Sequence, residues 1–355
     1  MLPLSMRRLS AFFSLALVLV LSAAGTRAEL VWTPGEGWRI EGGALSGLVG
    51  ADARNALETM NRARTAEEAG NTRTALRAYR RVTKNYPNSI YSSEASYRTA
   101  KIYLQRRQLY KAFETFQQIM TRYPNSDRFN EVLGEQFQIA TRLMEGERNY
   151  NWGWLPSFRS RERAITYFEW VVANAPYSDY APLALMNNAK LHRRLNNTPY
   201  AIDALDRLIN NYSQSLLAPD AYLELAKTHS SLVDGPAYDQ ESTREAITYF
   251  EDFMILFPED DGLAEAQEGL DEMKSVFAES KMILADYYFK YRKNYKGARV
   301  FYNEAITAFP GSEVADRARS QLDIIDSIEA EREALAQGEQ PATKPTKRKK
   351  FLGIF

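Results

Sequence analysis

Residues 75–89 read ALRAYRRVTKNYPNS, and residues 112–126 read AFETFQQIMTRYPNS. In both, an alanine precedes a proline by 12 residues, a large ring stands four past the alanine, and an aliphatic residue stands three further on. Positions i, i+4 and i+7 share one helical face, and proline ends the helix that carries them. The same spacing returns at Ala164 with Pro176, Ala246 with Pro258 and Ala298 with Pro310, while Ala201 has Ser213 in the proline place. The position four past the alanine holds Tyr79, Phe116, Phe168, Leu205, Phe250 or Tyr302, and the next holds Val82, Ile119, Val171, Leu208, Phe253 or Ala305. Before four of the prolines stands an aromatic: Tyr86, Tyr123, Phe257 and Phe309. Ser89, Ser126, Ser178 and Ser312 lie two past a proline, where a hydroxyl caps the next helix.

A partner helix precedes each of these. Ala63, Ala100 and Ala189 lie 12 residues before three of the repeat alanines, and a small residue there lets two helices approach closely. Such helical pairs in tandem are the tetratricopeptide pattern, whose unit is about 34 residues. The steps between alanines here are 37, 52, 37, 45 and 52 residues, so the longer units carry insertions. The expected fold is all-α: a right-handed superhelical solenoid of about six tetratricopeptide-type hairpins over residues 51–336, closed by a helix from Glu313 to Ala336.

Three stretches depart from the repeat. Residues 147–161 (ERNYNWGWLPSFRSR) are an aromatic insertion, read either as a stacking platform or as a plug tucked against the repeats. Asp234-Gly235-Pro236 opens a loop, and residues 262–294 form a helical stretch longer than one repeat helix, either bent or split in two. Upstream, residues 29–50, with Trp32, Trp38 and seven prolines or glycines, read as an extended lead-in.

Residues 1–28 have the order of a secretory signal peptide: Arg7-Arg8, an apolar run at 11–21, then small residues with cleavage after Ala24 or Ala28. Their removal takes away Arg7, Arg8 and Arg27 and no acid, leaving 42 basic against 45 acidic residues. That balance gives no reason to expect nucleic acid as a partner. The tail at 337–355, with KRKK at 347–350 and FLGIF at 351–355, is expected to be disordered, with peripheral membrane contact or simple solvation as its two readings.

Little points to catalysis. His192 and His229 fall in different repeats, no nucleophile, metal or phosphate motif is present, and cysteine is absent from all 355 residues. No enzyme, cofactor or metal is expected. A solenoid instead binds polypeptides along the face of its first helices. Carried backward, the register places Met60, Arg64, Tyr97, Lys101 and Leu104 there, followed by Met186, Lys190 and Arg193, a lining suited to an extended acidic or carboxylate-bearing peptide.

The segments at 79–89 and 116–126, the run Asp239-Gln240 to Thr243-Arg244-Glu245-Ala246, and the tyrosine-rich helix ADYYFK at 285–290 resemble the outer-membrane β-barrel assembly factor BamD family, also called ComL or YfiO. The resemblance covers roughly residues 51–325. It implies a periplasmic scaffold, peripheral to the inner face of the outer membrane, with the central insertase's periplasmic domains and unfolded β-barrel proteins as partners. It further implies that Tyr97, Lys101 and Leu104 belong to the substrate side, and Tyr287, Lys290 and Tyr291 to the docking side. That family is usually lipidated on a cysteine after the signal; here Ala24 follows Leu21-Ser22-Ala23, so no acylation is expected. A repeat adaptor of cell-wall or division complexes is the alternative.

Overall fold

The computed structural model describes residues 29–34, 36–41 and 51–336. The signal peptide, its cleavage site and the basic tail lie outside the described residues. Two compact units divide the chain, residues 1–191 and 192–355.

In the first unit, strands β1 (Glu29–Thr33) and β2 (Gly37–Glu41) pair antiparallel with Trp32 opposite Trp38. The lead-in is therefore a hairpin over this part. Its rings contact at 5.4 Å, Trp38 is buried, and the Trp38 amide donates to Asn61 Oδ1 at 2.8 Å. Then come α1 (Ala51–Glu68), α2 (Thr72–Asn85), α3 (Tyr91–Gln105), α4 (Leu109–Arg122) and α5 (Phe129–Met144). A two-residue pair, β3 (Tyr150–Asn151) and β4 (Leu155–Pro156), precedes α6 (Glu162–Asn174) and α7 (Tyr180–Arg194). The boundary between the units falls inside α7.

The second unit holds α8 (Thr198–Asn211), α9 (Ala218–Ser230), α10 (Glu241–Leu256), α11 (Leu263–Asp286), a π-helical turn (Tyr287–Tyr291), α12 (Tyr295–Ala308) and α13 (Glu313–Ala336). The stretch at 262–294 is thus one continuous helix that widens at its end, not split in two. From α1 to α6 in the first unit and from α8 to α13 in the second, each helix packs on the next, and first helices of neighbouring hairpins also touch: α1 with α3, α9 with α11.

The repeat positions make the core. Ala75, Ala112, Ala164, Ala201, Ala246 and Ala298 are all fully buried, as are the first-helix alanines Ala63 and Ala100. A methyl group at these sites sets the distance between helices, and the large residue four positions on fills the space beside it. Tyr79, Phe116, Phe168, Leu205, Phe250 and Tyr302 are each at most 2% exposed.

The six second helices end alike. The residue before the proline place leaves the α region, which a following proline disfavours, and its amide closes on the carbonyl of the third core residue. These bonds run from Tyr86 to Val82, Tyr123 to Ile119, Ala175 to Val171, Tyr212 to Leu208, Phe257 to Phe253 and Phe309 to Ala305, at 2.8–3.3 Å. Three residues on, Ser89, Ser126, Ser178, Ser215, Asp260 and Ser312 donate their amides back to that same residue's carbonyl. The Ser89, Ser126, Ser215, Asp260 and Ser312 side chains then accept an amide at the start of the next helix, at 2.8–3.4 Å.

First helices end differently, through a residue in the left-handed region: Gly70, Arg107, Gly146, Asn196 and Lys293. Four of these ends carry the paired carbonyl closure of a Schellman turn, as where Arg107 N donates to Leu104 O and Gln108 N to Tyr103 O. Connections out of second helices are four to six residues long. Those out of first helices are three residues after α1, α3 and α7, but seventeen after α5, ten after α9 and eight after α11.

Candidate partner-binding surfaces

The face shared by α3 and α5, in the first unit, carries most of the expected substrate side. Here residues one repeat apart meet. Arg128 donates to Glu94 at 2.5 Å and to Glu131 at 2.7 Å, Tyr97 donates to Glu131, and Lys101 Nζ lies 2.6 Å from Glu135. The Arg128 guanidinium also sits 4.4 Å from the Tyr97 ring centroid. Burial, then the Glu131 hydrogen bond, pushes the Tyr97 hydroxyl well above its ordinary value. Glu131 is held below the usual carboxylate value because hydrogen bonds from Tyr97 and Arg128 outweigh the opposing effect of burial.

These pairings change what the face can bind. Met60 is fully buried in the first core and Met186 is 3% exposed, so neither presents a side chain to a partner. Arg64 is bound to Glu67 and Glu68, each at 3.2 Å, and its guanidinium stacks 5.1 Å from Trp32. Lys101 is paired, as is Arg193 with Glu224. Lys101 and Arg193 are spent on acids of the next repeat and Arg64 on acids of its own helix, so the face is a network of mixed charge rather than a basic strip. The acids that receive them, Glu94, Glu131 and Glu135, were the residues that sequence reasoning missed. Their signal was present: Glu94–Arg128, Tyr97–Glu131 and Lys101–Glu135 are each 34 residues apart, one repeat. Leu104, half-buried at the end of α3, and Lys190, exposed on α7, are left to contact a partner.

The residues expected on the docking side lie in the second unit, at and after the end of α11. Tyr287 is 48% and Tyr291 78% exposed, with rings 6.0 Å apart, and Lys290 is exposed and bound to Asp286 at 2.5 Å. Between them Tyr288 and Phe289 turn inward, Tyr288 stacking on Phe301 at 5.3 Å and Phe289 meeting Tyr295 at 5.7 Å. The π turn makes this division. Arg292 N donates to Tyr287 O at 3.2 Å, a five-residue closure that widens the helix by one position. Ile283 and Leu284, 41% and 43% exposed, stand one turn earlier, so Ile283, Tyr287 and Tyr291 follow the four-residue spacing of a single stripe. Sequence reasoning missed these two, because a long apolar-rich helix gives no sign of which residues its neighbours leave uncovered. The structure brings Tyr287, Lys290 and Tyr291 together.

No group of three His, Cys, Asp or Glu residues suited to a metal exists among the described residues, and no described helix is long and apolar enough to cross a membrane.

Tandem helical hairpins with alanine-spaced cores and an exposed aromatic stripe define a tetratricopeptide-repeat protein, a class built to hold other proteins. Residues 60–127 match the tetratricopeptide repeat model, and residues 157–326 match that of YfiO, described as an outer membrane lipoprotein. The chain is thus a tetratricopeptide-type repeat protein whose residues 157–326 are similar to the YfiO family. No curated protein matches it. Among solved structures it is similar to MamA (16% identity, 72% of this chain and 92% of the other, TM-score 0.25). It is also similar to a tetratricopeptide repeat protein from Parabacteroides merdae (13%, 78% and 99%, 0.30) and to PilW, a type IV pilus biogenesis factor (18%, 76% and 98%, 0.25).

Proposed function

We propose that this protein is a non-catalytic scaffold of outer-membrane β-barrel assembly, working in the periplasm at the inner face of the outer membrane. Its second unit docks on periplasmic domains of the central insertase through Ile283, Leu284, Tyr287, Lys290 and Tyr291. Its first unit receives unfolded barrel segments beside Tyr97, Lys101 and Leu104. The observation that carries this reading is the match of residues 157–326 to the YfiO family, a span that includes the π turn and its exposed tyrosines. Paired charges on α3 and α5 favour a substrate bound through its backbone and apolar residues, since an acidic peptide would have to displace carboxylates already in place. The expected experiment is a photo-crosslinking amino acid at position 291 of the full chain in membranes, with the adducts identified by mass spectrometry. Adducts with the insertase's periplasmic domains support the reading. Adducts dominated by peptidoglycan synthases or division proteins overturn it in favour of a cell-wall adaptor.

A further inference from the structure

The seventeen residues between α5 and α6 form a fastened platform with an apolar tip. At its base Asn149 is buried and accepts the Tyr110 amide at 3.2 Å, Tyr150 N donates to Arg107 O at 2.9 Å, and Ser157 N donates to Asn149 O at 2.7 Å. Glu147 is held by Arg142 at 2.7 Å and Arg107 at 3.2 Å, while the Arg107 guanidinium lies 4.5 Å from the Tyr150 ring. Arg106 donates to Trp152 O at 2.9 Å, and the Gln108 amide, with its oxygen toward the turn, accepts from Trp152 N and Gly153 N at 3.0 and 3.1 Å. The hairpin is rigidly attached to the α3–α4 turn.

Its tip is not buried, so it is no plug. Trp152, Trp154, Leu155 and Phe158 are 63%, 70%, 40% and 96% exposed. The turn at 151–154 places Trp152 at φ +52° and Gly153 at φ +85°, the positive pair of a type I′ turn, with Trp154 N donating to Asn151 O at 3.3 Å. A bulky side chain in the left-handed region is strained, and such strain persists where the surroundings impose it and concentrates at functional positions. Here it holds the two indoles outward, 6.4 Å apart and inclined by 26°. Arg148, Arg159 and Arg161 flank the tip in sequence, and residues 148–161 contain no carboxylate. Arg148 and Arg159 are exposed.

We infer that this hairpin docks on an anionic phospholipid surface: Trp152, Trp154 and Phe158 enter the interfacial layer while Arg148 and Arg159 meet lipid phosphates. Tryptophan favours that layer because its ring is apolar and its N–H is polar, and arginine matches phosphate. A protein groove would suit one inserted side chain. Four exposed apolar groups on a segment whose charged residues are all arginines complement a negatively charged bilayer. The inference goes beyond the assembly role and does not require an insertase, so the two fail independently.

The full chain is to be mixed with vesicles of phosphatidylcholine alone or with about 30% phosphatidylglycerol, and its partitioning and tryptophan quenching by brominated acyl chains recorded. Partitioning about tenfold stronger on the anionic vesicles is expected. Quenching should be lost in W152F/W154F, which keeps binding, because Trp32, Trp38 and Trp170 stay remote from lipid. W152S/W154S/F158S should abolish partitioning with helical circular dichroism unchanged, and R148Q/R159Q should reduce it only on anionic vesicles. K347Q/R348Q/K349Q/K350Q should leave quenching in place. The inference is overturned by absent partitioning, by unquenched Trp152 and Trp154, by serine or glutamine variants at the hairpin that bind as well as the parent, or by binding that vanishes with the tail charges.

Discussion

Tyr79 and Tyr302 occupy the position that is phenylalanine in three other repeats, and each brings a hydroxyl into the core. The structure supplies an acid for both: Tyr79 donates to Glu67 at 2.7 Å and Tyr302 to Asp286 at 2.6 Å. Asp286 stands 12 residues before Ala298, where other repeats have alanine, and the Tyr302 hydroxyl accounts for that exchange. Such pairings escape sequence reading because the acceptor comes from a different helix at no fixed spacing. Tyr79→Phe should cost about 1 kcal/mol in urea unfolding, since the ring fits and only a hydrogen bond is lost. Burial first, then the neighbouring acid, raises both hydroxyls well above the ordinary tyrosine value. The folded state therefore resists ionisation that the unfolded chain undergoes near pH 10. Stability from these groups is complete below pH 10 and is lost as pH climbs above it. Alkaline unfolding followed by tyrosine absorbance should shift to lower pH for the parent relative to Y79F/Y302F, once each is referred to its own neutral stability.

At the scale of elements, the helices were legible and their junctions were only partly so. Proline and alanine spacing marked the second helices because both residues act through backbone geometry that depends on nothing distant. The π turn and the insertion hairpin were not legible, because each is decided by what packs against it. Gly269, within α11, shows such a constraint: a Cβ there would lie 2.3 Å from Phe250 Cζ. Gly269→Ala should therefore lower stability by about 1–3 kcal/mol despite alanine's better helix propensity, as measured by denaturant midpoint. The opposite sign is expected at Lys293, exposed with φ +52°, where Lys293→Gly should raise stability by about 1 kcal/mol through relief of left-handed strain. The amides of Gln117, Gln136 and Asn174 close a ring across α4, α5 and α6 at 2.7–3.2 Å, with Gln136 fully buried. Gln136→Ala removes two of these four hydrogen bonds, leaving Gln117 and Asn174 paired with each other, and opens a buried gap; a loss of about 2 kcal/mol is expected in the same measurement.

Over the whole molecule, the departures from the repeat all fall after first helices. The aromatic hairpin follows α5, the loop opened by Gly235 follows α9, and the π turn follows α11. Junctions after second helices keep to four to six residues and one hydrogen-bond pattern, because the residue in the proline place, the capping side chain and the third core residue fix them together. Both candidate binding features therefore arise at the same kind of joint. Length enters the chain there without shifting any core alanine, so selection is free to lengthen these joints independently. A foreign epitope spliced beside Asn196, in one of the short joints, should be displayed with the helices on either side still formed. The same splice beside Pro124 should unravel its hairpin.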